Sequence, residues 1–146
     1  MRILFMPQHK PSRRHWLATV AAAGASLMLA STAHAAQPVV EIIAFAHPPV
    51  QSSLKPLRNW LATQGSRLKV IEIDMESPAG AKRLQAVGVT GHVPVVVLID
   101  RQHLHKSADG SSVDLVSFPA GPGTPPGVNG SWSTADVEAI VKLRLK

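Results

Sequence analysis

Apolar and polar positions change their period several times along this chain, and each change marks an element. Residues 39–46 are apolar except for Glu41, with Pro38 before them and His47-Pro48-Pro49 after. That length and those flanks predict a buried strand. Val50, Leu54, Leu57 and Leu61 then recur at steps of four, three and four, with Lys55, Arg58 and Gln64 between them. This is one apolar face of a helix. Pro56 should kink it, because proline lacks an N–H and crowds the preceding turn, and Gly65 should end it. Alternation over Leu68-Lys69-Val70-Ile71-Glu72-Ile73-Asp74 predicts a second strand. Ser77-Pro78 reads as an N-cap with proline at the first helical position, opening a short helix over 79–87 that Gly88 closes.

Residues 93–100 predict a third, buried strand with a proline near its start. Residues 103–106 and 113–118 flank Ala108-Asp109-Gly110, a hairpin turn signal. Residues 119–130 are rich in Pro and Gly and predict a surface loop without a regular element. Ser133-Thr134-Ala135-Asp136 matches a capping box, and Val137, Ile140 and Val141 line one side of a last helix. The expected fold is an α/β three-layer sandwich with a central mixed sheet and flanking helices. Its first three strands are expected parallel, with the hairpin as an antiparallel edge.

Charge changes the picture at the N-terminus. The 146-residue chain has a formal net charge of +6, but Arg2, Lys10, Arg13 and Arg14 precede the first long apolar run with no acid among them. From Ala36 onward 11 basic residues face 9 acidic ones, which leaves about +2 and no nucleic-acid footprint. The leader, residues 1–35, has the parts of an export signal: a basic region, an apolar region over 16–30, and Ala33-His34-Ala35 before an expected cleavage at Ala36. That run of 15 residues falls short of the roughly 20 that span a membrane. No stable span is expected after cleavage; an uncleaved N-terminal anchor is the alternative. Ser12-Arg13-Arg14-His15-Trp16-Leu17 resembles the twin-arginine export signal, with Trp in the usual Phe slot; an ordinary secretory leader with two adjoining arginines is the other reading. Either route implies a periplasmic or secreted bacterial protein, with 36–146 as its mature domain.

Cysteine is absent, which excludes disulfides, thiolate nucleophiles and cysteine-based metal sites. The absence matters because Gly91-His92-Val93-Pro94, followed by a Val-rich strand, resembles the Gly-x-x-Pro of the thioredoxin-like superfamily. Residues 74–91 resemble the segment leading into it, and Pro56 resembles the proline that kinks the family's first helix. The resemblance covers residues 39–146. It implies a cis Val93–Pro94 bond and places the family's Cys-x-x-Cys on Pro48-Pro49-Val50-Gln51. Pro48 and Gln51 stand where the redox cysteines would be, and the family's buried acid in the first strand falls at about Ile42. The chain is therefore expected to be a cysteine-less, non-enzymatic member with no cofactor.

What the family's proline loop would retain is a surface for an extended peptide. The expected partner-binding residues are His47, Pro48, Val50, Gln51, His92, Val93 and Pro94, and the expected partner is a peptide or protein in the periplasm. Val50 is expected as part of an apolar wall, with Phe118 and the 119–130 loop covering one side. A metal reading competes, in which His47 and His92 hold copper or zinc, but two ligands make a weak site. His103 and His105 share a strand face by spacing. Ser52 and Ser53 sit just inside the first helix, where they help to start it. Trp132 and Trp60 are each either interface residues or core.

Overall fold

A computed structural model describes residues 36–146. Residues 1–35, where the export signal is expected, with Arg13, Arg14, Ala33 and Ala35, lie outside the described residues. The elements follow the periodicities closely. Strand β1 is Val39–Ala44, β2 is Lys69–Asp74 and β3 is Val95–Ile99; β4 is Leu104–Lys106 and β5 is Ser112–Asp114. Two short strands, β6 (Pro119–Ala120) and β7 (Trp132–Ser133), bracket the Pro/Gly-rich loop. The helices are α1 (Pro48–Ser53), α2 (Lys55–Thr63), α3 (Pro78–Ala86) and α4 (Thr134–Arg144).

Pro56 divides the first helical stretch, with Leu54 as the joint between α1 and α2. Ser77 caps α3 by accepting from the Gly80 N–H at 3.0 Å, with Pro78 at the first helical position. The expected capping box of α4 is present, Ser133 and Asp136 each satisfying the other's backbone N–H. Pro119–Gly130 is not wholly irregular: Pro119 and Ala120 pair in parallel with Trp132 and Ser133.

The main sheet has the order β2-β1-β3. β1 and β2 run parallel, with Val40 opposite Val70 and Ala44 opposite Asp74. β3 runs antiparallel to β1, with Val40 opposite Ile99 and Ala44 opposite Val95. This corrects the expectation of three parallel strands. The reason is the eight residues between α3 and β3. A nine-residue helix returns the chain about 13 Å toward the start of the sheet. The connecting segment turns at Val87-Gly88, bends at Gly91 and carries the chain back along the sheet. β3 thus enters beside the carboxyl end of β1. Beyond β3, Val97 N–H donates to Leu115 and Ser117 N–H donates to Val95, so residues 115–117 continue the sheet as an antiparallel edge.

Strands β1 and β3 bury both faces, whereas β2 at the edge is exposed or half-buried throughout. Val40, Ile42 and Ala44 of β1, with Val95, Val97 and Ile99 of β3, meet Leu54, Leu57, Leu61, Val137 and Val141 of the helices. On the opposite face Ile43, Val96 and Leu98 pack with Met75, Leu84 and Val87 under α3. Among the described residues no helix is long and apolar enough to cross a membrane.

Candidate functional site

Because β3 enters beside the end of β1, the segments 45–51 and 91–94 become neighbours. Phe45 joins them. Its N–H donates to the Pro94 carbonyl at 3.2 Å, and its own carbonyl accepts from Gln51 Nε2 at 2.6 Å. Its ring lies 5.6 Å from the His47 ring and 5.1 Å from the His92 ring, tilted by 39° and 36°. These are normal separations for attractive aromatic pairs. One half-buried phenylalanine thus gathers four of the expected site residues: His47, Gln51, His92 and Pro94. Sequence reasoning did not select Phe45, although its place between an apolar strand and His47-Pro48-Pro49 marks where that strand leaves the core.

The Val93–Pro94 bond is trans, since the described chain has no cis peptide. The expectation of a cis bond is overturned. Gly91 supplies the change of direction instead, at φ 88°, in the left-handed region that glycine enters without strain. Val50 is also corrected. It is only 5% exposed and belongs to the core between sheet and helices, so it offers no wall to a partner. His47, Pro48, Pro49 and His92 are exposed, while Gln51, Val93 and Pro94 are half-buried. Among the described residues, nothing hydrogen-bonds the backbone of Val93.

The start of α1 has little of the usual electrostatic character. A helix N-terminus binds anions through its free N–H groups. Here Pro48 and Pro49 have none, and the side chain of the preceding His47 makes no cap hydrogen bond. What this end presents is two proline rings. Ser53 is buried, and its hydroxyl donates to the Val50 carbonyl at 2.8 Å. Gly123 of the Pro/Gly-rich loop sits so close to α1 that a β-carbon there would overlap the Ser52 carbonyl oxygen. The loop therefore lies against the end of α1 at Ser52 and Ser53. Phe118 is half-buried against the main core.

A second opening, missed in the sequence, borders this site at the carboxyl ends of the parallel strands. Ala44, Ala46, Gln51, Asp74, Arg58 and Glu72 line it. Arg58 Nε and a terminal guanidinium nitrogen donate to the two Glu72 oxygens at 2.7 and 2.6 Å, a fork that fixes both side chains. Crevices at strand carboxyl ends are where open α/β sheets place ligands.

The other histidines take protein partners. His103 Nδ1 lies 2.7 Å from Asp114 Oδ1, and His105 Nε2 lies 2.8 Å from the Gln102 carbonyl. No group of three or more His, Cys, Asp or Glu side chains suited to a metal ion occurs among the described residues. A metal on His47 and His92 would have two protein ligands at most.

Burial lowers the pKa of His105 below its ordinary value of 6.5, outweighing the hydrogen bond to Gln102 that raises it. The unfolded chain then takes up a proton where the folded chain does not. Stability from this group is full above about pH 6.5 and is lost as pH falls through the lowered folded value. Urea unfolding is expected to show a lower midpoint at about pH 5 than at about pH 7.5. His105→Gln should flatten that difference, and an equal pH dependence in the variant would remove His105 as its source.

Comparison of the chain with protein-family models, with curated proteins and with solved structures gives no match.

Proposed function

We propose that the mature part of this chain is a non-catalytic binding protein with a thioredoxin-like fold. It is exported to the bacterial periplasm, where it holds an extended segment of a peptide or protein partner between residues 47–51 and 91–94. The fold reading draws on the order β2-β1-β3 with an antiparallel fourth strand at 115–117, α1, α2 and α4 on one face and α3 on the other. The export reading draws on the leader sequence.

One observation carries the site. The Val93 backbone has no hydrogen-bond partner among the described residues, yet it lies between two anchored neighbours. The His92 ring lies tilted against Phe45, and the Pro94 carbonyl is held by the Phe45 N–H. A fixed, unpaired peptide group beside exposed proline and imidazole rings suits an extended chain, which gains backbone hydrogen bonds there and places side chains against the rings. The prolines at the start of α1 and the absence of any thiol favour binding over chemistry.

Panning a phage-displayed library of random peptides against the full chain tests this. Selected peptides are expected to lose affinity about tenfold or more for His47→Ala/His92→Ala, equivalent to roughly 1.4 kcal/mol. Val93→Pro, which removes the N–H from a residue already next to a proline, should weaken them similarly. Peptides that bind both variants as well as the parent chain would place the binding surface elsewhere.

A further inference from the structure

A separate groove lies between the β4–β5 turn and the last turns of α4. Its volume is about 280 Å³, close to the lower end, roughly 300 Å³, of small-molecule sites. Ala108 from the turn and Ala139, Ile140 and Leu143 from α4 give it an apolar floor. Leu143 is 54% exposed and presents its side chain to the groove. The small side chains at 108 and 139 are what leave the space open.

The rim is basic. Lys106 stands on the hairpin side, and Lys142 and Lys146 stand on the helix side. The one acid in the lining, Asp136, is already engaged, because its Oδ2 accepts from both the Ser133 N–H and the Ser133 hydroxyl at 2.7 Å. Lys142 pairs with Glu138 at 3.0 Å, but that pair is exposed and such pairs hold their partners weakly. Lys106 donates only to the Ser112 hydroxyl, at 2.9 Å. Both ammonium groups can therefore turn toward an incoming anion at little cost.

We infer that this groove binds a small amphiphilic anion, a medium-chain carboxylate with its head among Lys106, Lys142 and Lys146 and its tail along Ala139, Ile140 and Leu143. The apolar floor alone would accept any greasy molecule. Three lysines against the single Asp136 carboxylate leave the lining net positive, which favours negative charge. A single headgroup at one end suits a floor that is apolar throughout.

Trp60 supplies a local reporter, since Lys142 Nζ lies 5.9 Å from the centre of its ring. An anion that draws Lys142 away should change Trp60 fluorescence. The full chain is titrated with decanoate, followed by calorimetry and by tryptophan emission, with Trp60→Phe to assign the signal. Binding is expected to saturate and to tighten about fourfold per added methylene from hexanoate to decanoate. Lys106→Gln/Lys142→Gln and the exposed Leu143→Gln should each weaken decanoate at least tenfold while leaving the melting temperature unchanged. Equal affinity for decyltrimethylammonium would overturn the inference. So would decanoate binding that survives both variants, or affinity that does not follow chain length.

Discussion

Arg83→Met is expected to destabilise the fold by about 3–5 kcal/mol, the usual consequence of leaving a buried charge without its partner. The charge is Glu41. It lies on β1, is 3% exposed, and faces α3 between the two neighbouring strands. Arg83 reaches it from α3, with Nε 2.8 Å from Oε2. That oxygen nevertheless has no hydrogen-bond partner among the described residues, because the Arg83 N–H does not point at it. The pair is held by charge more than by geometry, so it offsets the cost of burying a carboxylate only in part. Two outcomes follow. The single change should lower the melting temperature by roughly 15 °C, at about 4 °C or more per kcal/mol for a domain of this size. Glu41→Leu/Arg83→Met should recover that loss, and should equal or exceed the parent chain, since an apolar pair of similar volume carries no desolvation cost. Equal melting temperatures for Arg83→Met and the parent chain would mean that solvent reaches Glu41 and that its burial costs little.

Glu41 also marks a limit of what the sequence reveals. Periodicity predicts the β1 strand correctly, but one acid within an apolar run has no visible partner. Arg83 lies on a helix that only the crossover brings near. The resemblance to thioredoxin-like proteins directs attention to Ile42 for a buried acid. The chain has one a residue earlier, and because side chains alternate along a strand it lies on the opposite face.

The direction of β3 was hidden for a similar reason. Local pattern predicts a strand after a helix, and it is silent on whether the intervening residues 87–94 fold up or extend. After a turn at Val87-Gly88 and a bend at Gly91 they run on along the sheet, and this both reverses β3 and delivers His92 and Pro94 to Phe45. Val50 was legible and yet misassigned to the groove. It belongs to the same 50, 54, 57, 61 apolar face that predicts the helix, and such a face goes to the core. His47 and His92 do come together, through an aromatic ring that no motif selects. The caps at Ser77 and Ser133 and the joint at Pro56 were fully legible, because each depends on residues within four positions.

Trp132→Ala is expected to cost about 3–5 kcal/mol, the range for removing a large buried aromatic side chain. Sequence alone leaves Trp132 as either an interface residue or core. It is 1% exposed and packs in the main core with the α4 residues Val137 and Val141. Its position also joins three features. Its indole N–H donates to the Ser117 carbonyl at 3.0 Å, at a residue held at φ 76°. Its backbone lies in β7, opposite Pro119 of β6, and so closes the base of the Pro/Gly-rich loop. Its neighbour Ser133 opens the capping box of α4. Trp132→Phe separates these contributions. It keeps much of the apolar volume, removes the hydrogen bond to Ser117 and part of the ring, and should cost less than the alanine change, about 1–3 kcal/mol. Hydrogen exchange provides the second readout. Once β7 loosens, amides of the 119–130 loop should exchange faster, and so should those near Ser52, where Gly123 rests on α1. A melting temperature for Trp132→Ala within roughly 4 °C of the parent chain would contradict its place in the core. Normal loop protection in a clearly destabilised Trp132→Ala would instead separate the core role from the loop, and leave the Gly123 contact with Ser52 as what holds the loop on α1.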